Sequence, residues 1–359
     1  QIDEPKKALR FFEKYHQLKD SVDKTSAKEG LMKYEFQAKR QIDSLEYLNE
    51  IKLQQAETKA KEEELKSTRR LEIGLLFIIA LIVSFLYFVY KQLKTTKSQK
   101  LLIEYKQKEI SDSINYAKRI QDAMMTSTVN LKQIISEYFI FFLPKDVVSG
   151  DFYWAYQNDE KEIFIAVADC TGHGVPGAFM SMIGTSLLNE IIVEKKISDT
   201  SEILNHLKSQ IIKSLNQNDV DSQKDGMDIS ICKINFKKLK LQFSGALNPL
   251  VHIREKKVEI FKGDPKPIGY SGGDNSPFKS YDISLKKNDM IYIFSDGFQD
   301  QFGGPKGKKY RSNRFREFLL SISDKDLLEQ KELMAIEFNS WKMNEEQIDD
   351  VCVMGVRIT

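Results

Sequence analysis

Apolar residues in the first part of the chain recur every three or four positions, the spacing of one face of a helix. In residues 1–25 this face carries Ala8, Phe11, Tyr15 and Leu18, which predicts an amphipathic helix. Residues 26–70 contain no proline, are heavily charged and keep only a broken apolar seam. That pattern favours a solvated or weakly coiled helix over a separate domain.

A long apolar run follows, and it predicts a membrane span. The 18 residues from Ile73 to Tyr90, IGLLFIIALIVSFLYFVY, contain no charged side chain. As a helix they would extend about 27 Å, close to the thickness of a bilayer core. A buried core helix is the alternative, but core helices rarely stay apolar on every face. We assign a transmembrane helix to residues 71–92, and basic residues at both ends leave its orientation undecided.

Residues 93–130 predict a helical connector. Ile103, Ile110, Ala117 and Met124 are spaced seven apart, and Ile114 adds an intervening position. A two-stranded coiled coil, and with it a homodimer, would use this stripe. A single helix that lays the stripe on the following domain explains it equally well.

From residue 136 to residue 359 the pattern changes to short β-rich runs separated by turns. Helix-like stretches near 177–194, 199–217 and 325–343 lie among them. The runs are YFIFFL, EIFIAVA, MDISICKINF, KLQFSGA, LVHIREKKVEIF, MIYIFS and VCVMGVRI. Strands joined by short turns predict antiparallel sheets packed against helices, an α+β domain.

The composition of the chain excludes few classes of function. Lys and Arg total 54 against 52 Asp and Glu, a formal charge of +2 that argues neither for nor against nucleic acid, and we expect no nucleic-acid partner. The three cysteines stand far apart and fit neither a disulfide framework nor a zinc site. The segment 305–316 carries six basic residues among 12, which fits a solvated loop or a surface that steers an acidic phosphoprotein.

The candidate chemistry is a set of carboxylates at strand ends. Asp151, Asp169, Asp296 and Asp349 each border an apolar run, and a glycine or another acid stands next to each of them or, for Asp169, three residues on. Each alone could belong to an ordinary turn or strand entry. Brought together they would repel one another and favour hard divalent cations with oxygen ligands, Mg²⁺ or Mn²⁺ rather than Zn²⁺.

Seven stretches of residues 136–359 resemble, in order, the PP2C-like (PPM) serine phosphatases of the bacterial SpoIIE and stress-response type. They are PKDVVSGDFYW, VADCTGHGVPGAFMS, GMDISIC, SGALNPL, GDPKPIG, IYIFSDGFQDQFGG and DDVCVMGV. DSINYAKRIQDAMM is similar to the helix that often precedes that domain, and residues 1–25 are similar to the second helix of a tetratricopeptide repeat.

The resemblance implies two antiparallel β-sheets flanked by helices, with two Mn²⁺ or Mg²⁺ ions at one edge. Asp151, Asp169, Asp296 and Asp349 match the acidic ligands, and Cys170 matches a residue that binds through its main-chain carbonyl. The implied reaction is hydrolysis of phosphoserine or phosphothreonine by a water that the two ions activate. Further candidates are Asp228, His173, Gly172 and Asp350. His173 would be a proton donor or simply a turn residue.

Two departures from the family pattern leave these ligands in place: Asp300 stands where Glu is frequent, and Cys352 where Thr is common. The resemblance implies a phosphorylated anti-sigma-factor antagonist as the partner. We therefore expect a single-pass membrane signalling phosphatase with a cytoplasmic catalytic domain. The alternatives are a non-catalytic phosphatase-like adaptor and a membrane scaffold.

Overall fold

The structure of the chain, a computed structural model, describes residues 3–19, 26–125, 128–217, 224–269 and 276–359. The ends of the predicted first helix (1–2 and 20–25) and residues 126–127 of the predicted connector lie outside the described residues. The chain divides into two compact units, Gln1–Ile103 and Glu104–Thr359.

The N-terminal part is helical, as the apolar spacing predicted. Helix α1 is Asp3–Lys19, and helix α2 runs without a break over Ser26–Met124, through the predicted segments 26–70 and 71–92. The apolar run is fully exposed on α2: Phe77 and Phe85 each have 65% of their surface accessible. Among the described residues a second helical stretch, Val175–Glu194, is also long and apolar enough to span a membrane, but its mean hydropathy is 1.2 against 2.7, and 56% of it is buried in the core of the other unit.

The second unit contains twelve strands and six α-helices within its described residues. The strands are β1 (Tyr138–Leu143), β2 (Phe152–Gln157), β3 (Ile163–Cys170), β4 (Met227–Asn235), β5 (Lys240–Ala246), β6 (Leu250–Arg254), β7 (Lys257–Phe261), β8 (Tyr281–Ser284), β9 (Met290–Phe294), β10 (Phe302–Gly303), β11 (Lys308–Lys309) and β12 (Val351–Arg357). The helices are α3 (Thr128–Ile134), α4 (Val175–Leu188), α5 (Thr200–Ser214), α6 (Gly297–Asp300), α7 (Ser312–Ile322) and α8 (Leu327–Lys342), and a π-helical turn, Asn189–Glu194, extends α4.

Two five-stranded antiparallel sheets form the centre of this unit, which confirms the expected α+β fold. One sheet has the order β1-β12-β9-β6-β7, and the other has the order β2-β3-β4-β5-β8. An apolar core lies between the sheets, a second core joins β2–β5 to α4 and α5, and a third joins the first sheet to α7 and α8. The layers are therefore helix, sheet, sheet, helix.

Strand β3 shows how the sequence builds these layers. Because side chains alternate along a strand, Phe164, Ala166 and Ala168 pack toward the helices, whereas Ile165 and Val167 pack between the sheets. Both faces are buried, which is why the run reads as continuously apolar. The same alternation puts Asp169 on the face between the sheets.

The structure differs from the sequence prediction in several elements. Strands β2 and β8 and helix α7 were not predicted. The basic segment 305–316 is not one solvated loop, because it contains β11 and the first turns of α7. Two of its charges are paired: Lys309 lies 2.6 Å from Asp300, and Arg314 lies 3.2 Å from Glu337. These pairs reduce the basic charge that the segment would offer to an acidic partner.

Candidate active site

Strand ends bring the predicted acids to one edge of the two sheets. Asp151 directly precedes β2 and Asp169 lies near the end of β3, and Phe152 pairs with Ala168 between them. In the other sheet Asp296 follows β9 and Asp349 precedes β12. Those two strands are also antiparallel, with Phe294 opposite Val353, so both acids emerge at the same end of that sheet.

Burial and mutual repulsion raise the pKa of these carboxyls. Asp151 is only 1% exposed, and burial, followed by the negative charges of its neighbours, raises its pKa well above the ordinary value. Burial also raises the pKa of Asp169, and the charges on Asp151, Asp296 and Asp349 raise it further. The pKa values of Asp296 and Asp349 are raised, in both cases chiefly by burial. The structure thus brings all four predicted acids within electrostatic reach of one another.

The donor set fits oxygen-seeking divalent cations. The carboxyls of Asp169 and Asp296 interact directly, which adds to the rise in the pKa of Asp169. Among the described residues no group of three or more acidic, histidine or cysteine side chains is arranged closely enough to hold a metal ion. Buried carboxyls that raise one another's pKa are nevertheless groups whose charge a cation would compensate.

Closely packed glycines explain the spacing of the motifs around these acids. A Cβ on Gly177 would lie 2.4 Å from the Gly172 carbonyl oxygen and 2.8 Å from the Gly150 Cα, which no side chain could tolerate. Gly172 itself has φ +83°, a conformation that favours glycine. The loop before Asp151 and the loop after Cys170 can therefore touch. The carbonyl of Cys170 lies at this contact, 3.3 Å from a Cβ built on Gly150.

The two acids of the DD pair have different surroundings. Asp350 is 2% exposed, and its carboxylate accepts hydrogen bonds from the backbone amides of Lys145 and Gly150, each at 2.7 Å. Both of its oxygens are therefore used to hold the loop that leads to Asp151. Asp349 lies within electrostatic reach of Asp151 and Asp169, and its assignment as the ligand of the pair stays a prediction.

Asp228 is a fifth acid at this edge. It lies directly opposite Asp169 in the β3–β4 ladder, so the two side chains project from the same face. Burial and the charge on Asp296 raise the pKa of Asp228 to about 6. The role of Asp228 beside the candidate ligands or toward the substrate stays a prediction.

His173 lies in the exposed part of the site. Its Nδ1 is 3.2 Å from Oδ2 of Asp146, and 63% of its side chain is accessible. Its positive charge, when protonated, would lower the pKa of Asp349, which places the imidazole near that acid. Both roles expected for His173, turn residue and proton donor, are compatible with this position.

Two polar residues support the site but were not predicted. The Ser295 hydroxyl donates to Oδ2 of Asp151 at 2.5 Å and accepts from the backbone amide of Cys352 at 2.9 Å. Gln121, at the end of α2, donates to the carbonyl of Ser149 at 2.6 Å and accepts from its amide at 3.1 Å. Gln121 shares a helix face with the predicted stripe, and an uncharged polar residue there was its only sequence signal.

Sequence comparison identifies related proteins over the same region. The family model described as Stage II sporulation protein E (SpoIIE) matches residues 159–359, more than half of the chain. The phosphoserine phosphatase RsbU of Bacillus subtilis is 28% identical over 195 residues, which are 53% of this chain and 54% of RsbU. RsbP of the same organism, also named a phosphoserine phosphatase, is 22% identical over 250 residues, covering 68% of this chain and 57% of RsbP. The chain thus spans little more than half the length of these relatives.

Solved structures agree with the fold. The SiaA-PP2C domain of Pseudomonas aeruginosa superposes with a TM-score of 0.64 and 29% identity, covering 70% of this chain and 98% of that domain. The PP2C phosphatase domain of SpoIIE from Bacillus subtilis, with a regulatory fragment, gives a TM-score of 0.50 at 21% identity and covers 62% of each chain. The second unit accordingly has the PP2C fold.

Proposed function

The chain belongs to the SpoIIE family, and we propose that its C-terminal unit is a metal-dependent protein serine/threonine phosphatase. One observation carries this proposal: Asp151, Asp169, Asp296 and Asp349 share one sheet edge, where burial and mutual repulsion raise their pKa values. Such a cluster is costly to maintain for stability alone and is typical of a catalytic site.

These four acids, with the carbonyl of Cys170, would hold two Mn²⁺ or Mg²⁺ ions. When bound, the ions would lower the pKa of a water molecule and offset the charge on the phosphoryl oxygens. Ser295 fixes the orientation of Asp151, and Asp350 holds the loop before it through the Gly150 amide. His173, oriented by Asp146, lies on the exposed side, where a substrate would approach.

The proposed substrate is a phosphoserine or phosphothreonine on a regulatory protein. The names of RsbU and RsbP as phosphoserine phosphatases support that substrate class. The sequence resemblance adds an anti-sigma-factor antagonist-like protein as the partner.

We further propose that residues 71–92 cross the membrane once and that the catalytic unit is cytoplasmic. The exposed apolar surface of α2 supports this assignment, since contact between such a surface and water is unfavourable. The domain order, from a tetratricopeptide-like helix (1–25) through the charged helix (26–70) and connector (93–130) to the phosphatase (136–359), belongs to the same proposal. The full chain should stay with membranes after an alkaline carbonate wash, and its release would contradict the span.

The catalytic proposal can be tested with p-nitrophenyl phosphate and the full chain in detergent micelles. We expect hydrolysis that requires Mn²⁺ and that is lost in Asp169→Ala, because this acid interacts with the other three. Asp159→Ala is the matched control, since that carboxylate is 90% exposed and lies in the turn between β2 and β3, at the opposite end of these strands from the cluster.

A folded wild-type chain that neither hydrolyses p-nitrophenyl phosphate nor binds Mn²⁺ would contradict the proposal and favour the non-catalytic adaptor. Mn²⁺ binding without hydrolysis would indicate that an activating partner or a dimer is required. Loss of activity in both aspartate variants would point to a general effect on folding.

A further inference from the structure

Leu247 occupies a backbone conformation that a leucine rarely adopts. Its φ is +60°, and the amide of Asn248 donates to the carbonyl of Ala246 at 2.7 Å across it. This i to i+2 hydrogen bond closes a γ-turn with a positive φ at its central residue, which is a rare and strained turn for a residue with a side chain.

The surrounding structure holds this turn in place. The amide of Leu247 donates to the carbonyl of Asp264 at 2.9 Å, and the side-chain amide of Asn248 donates to the carbonyl of Asp228 at 3.1 Å. Gly263 packs so closely that a Cβ on it would lie 3.0 Å from the Leu247 nitrogen. A strained conformation persists only when its neighbours enforce it in this way.

Neither burial nor local conformation accounts for a leucine at this position. The side chain of Leu247 is 45% exposed, so much of its apolar surface remains in water. Glycine would adopt the same φ without strain. A rigid turn that presents an apolar side chain to solvent is suited to contact another molecule, since little conformational freedom is lost when that contact forms.

The turn lies at the same edge of the sheet as the candidate active site. Strand β5 ends at Ala246, which is opposite Ile229 in β4. The preceding residue of β4, Asp228, is opposite Asp169 in β3. Leu247 therefore follows directly on the ladder positions that carry two acids of the site, and the Asn248 side chain links the turn to one of them.

We propose that Leu247 is a specificity-determining residue that contacts an apolar side chain next to the phosphorylated residue of a protein substrate. This inference rests on the proposed phosphatase function. Leu247 takes no part in the hydrolysis itself, so it contributes only when the substrate carries polypeptide on either side of the phosphoserine. A small aryl phosphate does not reach it.

Two synthetic phosphoserine peptides of equal length and charge test this proposal, one with leucines flanking the phosphoserine and one with serines. The wild-type chain in detergent micelles should hydrolyse the leucine peptide with a kcat/KM about tenfold higher, the discrimination expected of one apolar contact. In Leu247→Gly this preference should disappear, while the rate with p-nitrophenyl phosphate stays unchanged. Because the substitution releases strain, the variant should unfold at no lower temperature than the wild type.

Met343→Gly is the matched control. Met343 also has a positive φ, +51°, and is 60% exposed, but it follows helix α8 rather than a strand of the site. This variant should keep the preference for the leucine peptide.

The inference is overturned if the wild type shows no preference, or if the preference survives in Leu247→Gly. If the wild type hydrolyses neither the peptides nor p-nitrophenyl phosphate, the proposed function fails and the inference fails with it. Hydrolysis of p-nitrophenyl phosphate without peptide preference would remove the inference alone.

Discussion

At the scale of single residues, the candidate site depends on side chains that hold the acids as well as on the acids themselves. The hydroxyl of Ser295 both donates to Asp151 and accepts from the Cys352 amide, so it ties a candidate ligand of one sheet to the backbone of the other. All three residues are at most 1% exposed. Hydrogen bonds in such a buried setting fix orientation, because no water can replace a missing partner.

Ser295→Ala should therefore weaken the binding of Mn²⁺. The substitution frees the Asp151 carboxylate to rotate, and loss of a partner that orients a metal ligand costs about tenfold in affinity. Isothermal titration of Mn²⁺ into the full chain measures the change. Ser244→Ala is the control, since Ser244 is also buried and its hydroxyl bonds to Thr200 instead. Equal Mn²⁺ affinity in both variants would contradict the role given to Ser295.

A second buried acid, Asp289, has a structural role that depends on pH. Burial alone would raise its pKa, but hydrogen bonds from Arg254, at 2.6 and 2.9 Å, and from the Lys286 amide outweigh burial and hold the pKa below the ordinary value. Nε2 of His252, on the neighbouring strand β6, lies 3.0 Å from Oδ2 of Asp289. A carboxyl whose pKa is lowered by folding stabilises the protein above its unfolded pKa, and the effect disappears as the pH falls through its folded pKa.

Asp289→Asn should lower the free energy of unfolding by about 2 kcal/mol at pH 7, since it removes hydrogen bonds to a charged group. The difference from the wild type should begin to shrink as the pH falls below about 4, where the carboxyl of the unfolded chain becomes protonated, and should vanish as the pH falls through the lower folded pKa. Urea unfolding at a series of pH values measures this difference in the free energy of unfolding. Asp282→Asn, at an exposed position of β8, should show no such trend. A difference that stays constant down to pH 3 would exclude the charge as its cause.

At the scale of elements, the sequence predicted the strands whose residues are mostly buried and therefore apolar. The apolar runs of β3, β9 and β12 predicted strands, and the family resemblance implied that the four acids at strand ends share one edge. Strand β2 was missed because its polar and aromatic residues, FYWAYQ, are only partly buried. The roles of Ser295 and Gln121 could not be predicted, since each depends on a contact between distant parts of the chain.

The last turn of α2 is the element that contacts the loop before Asp151. The Gln121 side chain is 3% exposed, and it bonds both the amide and the carbonyl of Ser149 as well as the hydroxyl of Ser181 on α4. The connector is thus hydrogen-bonded to the backbone two residues from a candidate ligand. A change in the position of this helix would act directly on that loop.

Gln121→Leu keeps the volume of the side chain but removes these hydrogen bonds. We expect the free energy of unfolding to fall by about 2 kcal/mol, because the buried amide of Ser149 loses its partner and the Ser149 carbonyl and Ser181 hydroxyl each lose one of theirs. The Mn²⁺ concentration that gives half-maximal p-nitrophenyl phosphate hydrolysis should rise, since Asp151 is held less firmly. Asn115→Leu, on the exposed face of the same helix, is the control. A stability loss without any change in Mn²⁺ dependence would limit Gln121 to a structural role.

At the scale of the whole molecule, the apolar stripe of the connector is the surface through which two chains would pair. Within the catalytic unit Ile114 and Ala117 are partly buried, whereas Ile110 keeps 59% of its surface exposed. Burial therefore differs along the stripe, and its pairing with a second helix stays a prediction. A membrane-anchored chain would raise the local concentration of such helices and favour pairing in the plane of the bilayer.

Replacing both Ile110 and Ile114 by Asp in the full chain in liposomes tests whether the stripe pairs two chains. If the stripe pairs two chains and passes the effect through α2 to the Ser149 loop, chemical cross-linking should fall and the rate of phosphatase turnover should change, while the candidate ligands remain intact. Tyr116→Asp is the control, because Tyr116 is on the same helix, equally exposed at 59%, and off the stripe. Unchanged turnover with reduced cross-linking would separate dimerisation from activity. Turnover and cross-linking both equal to those of the wild type would show that the connector serves only as a tether between the membrane and the catalytic unit.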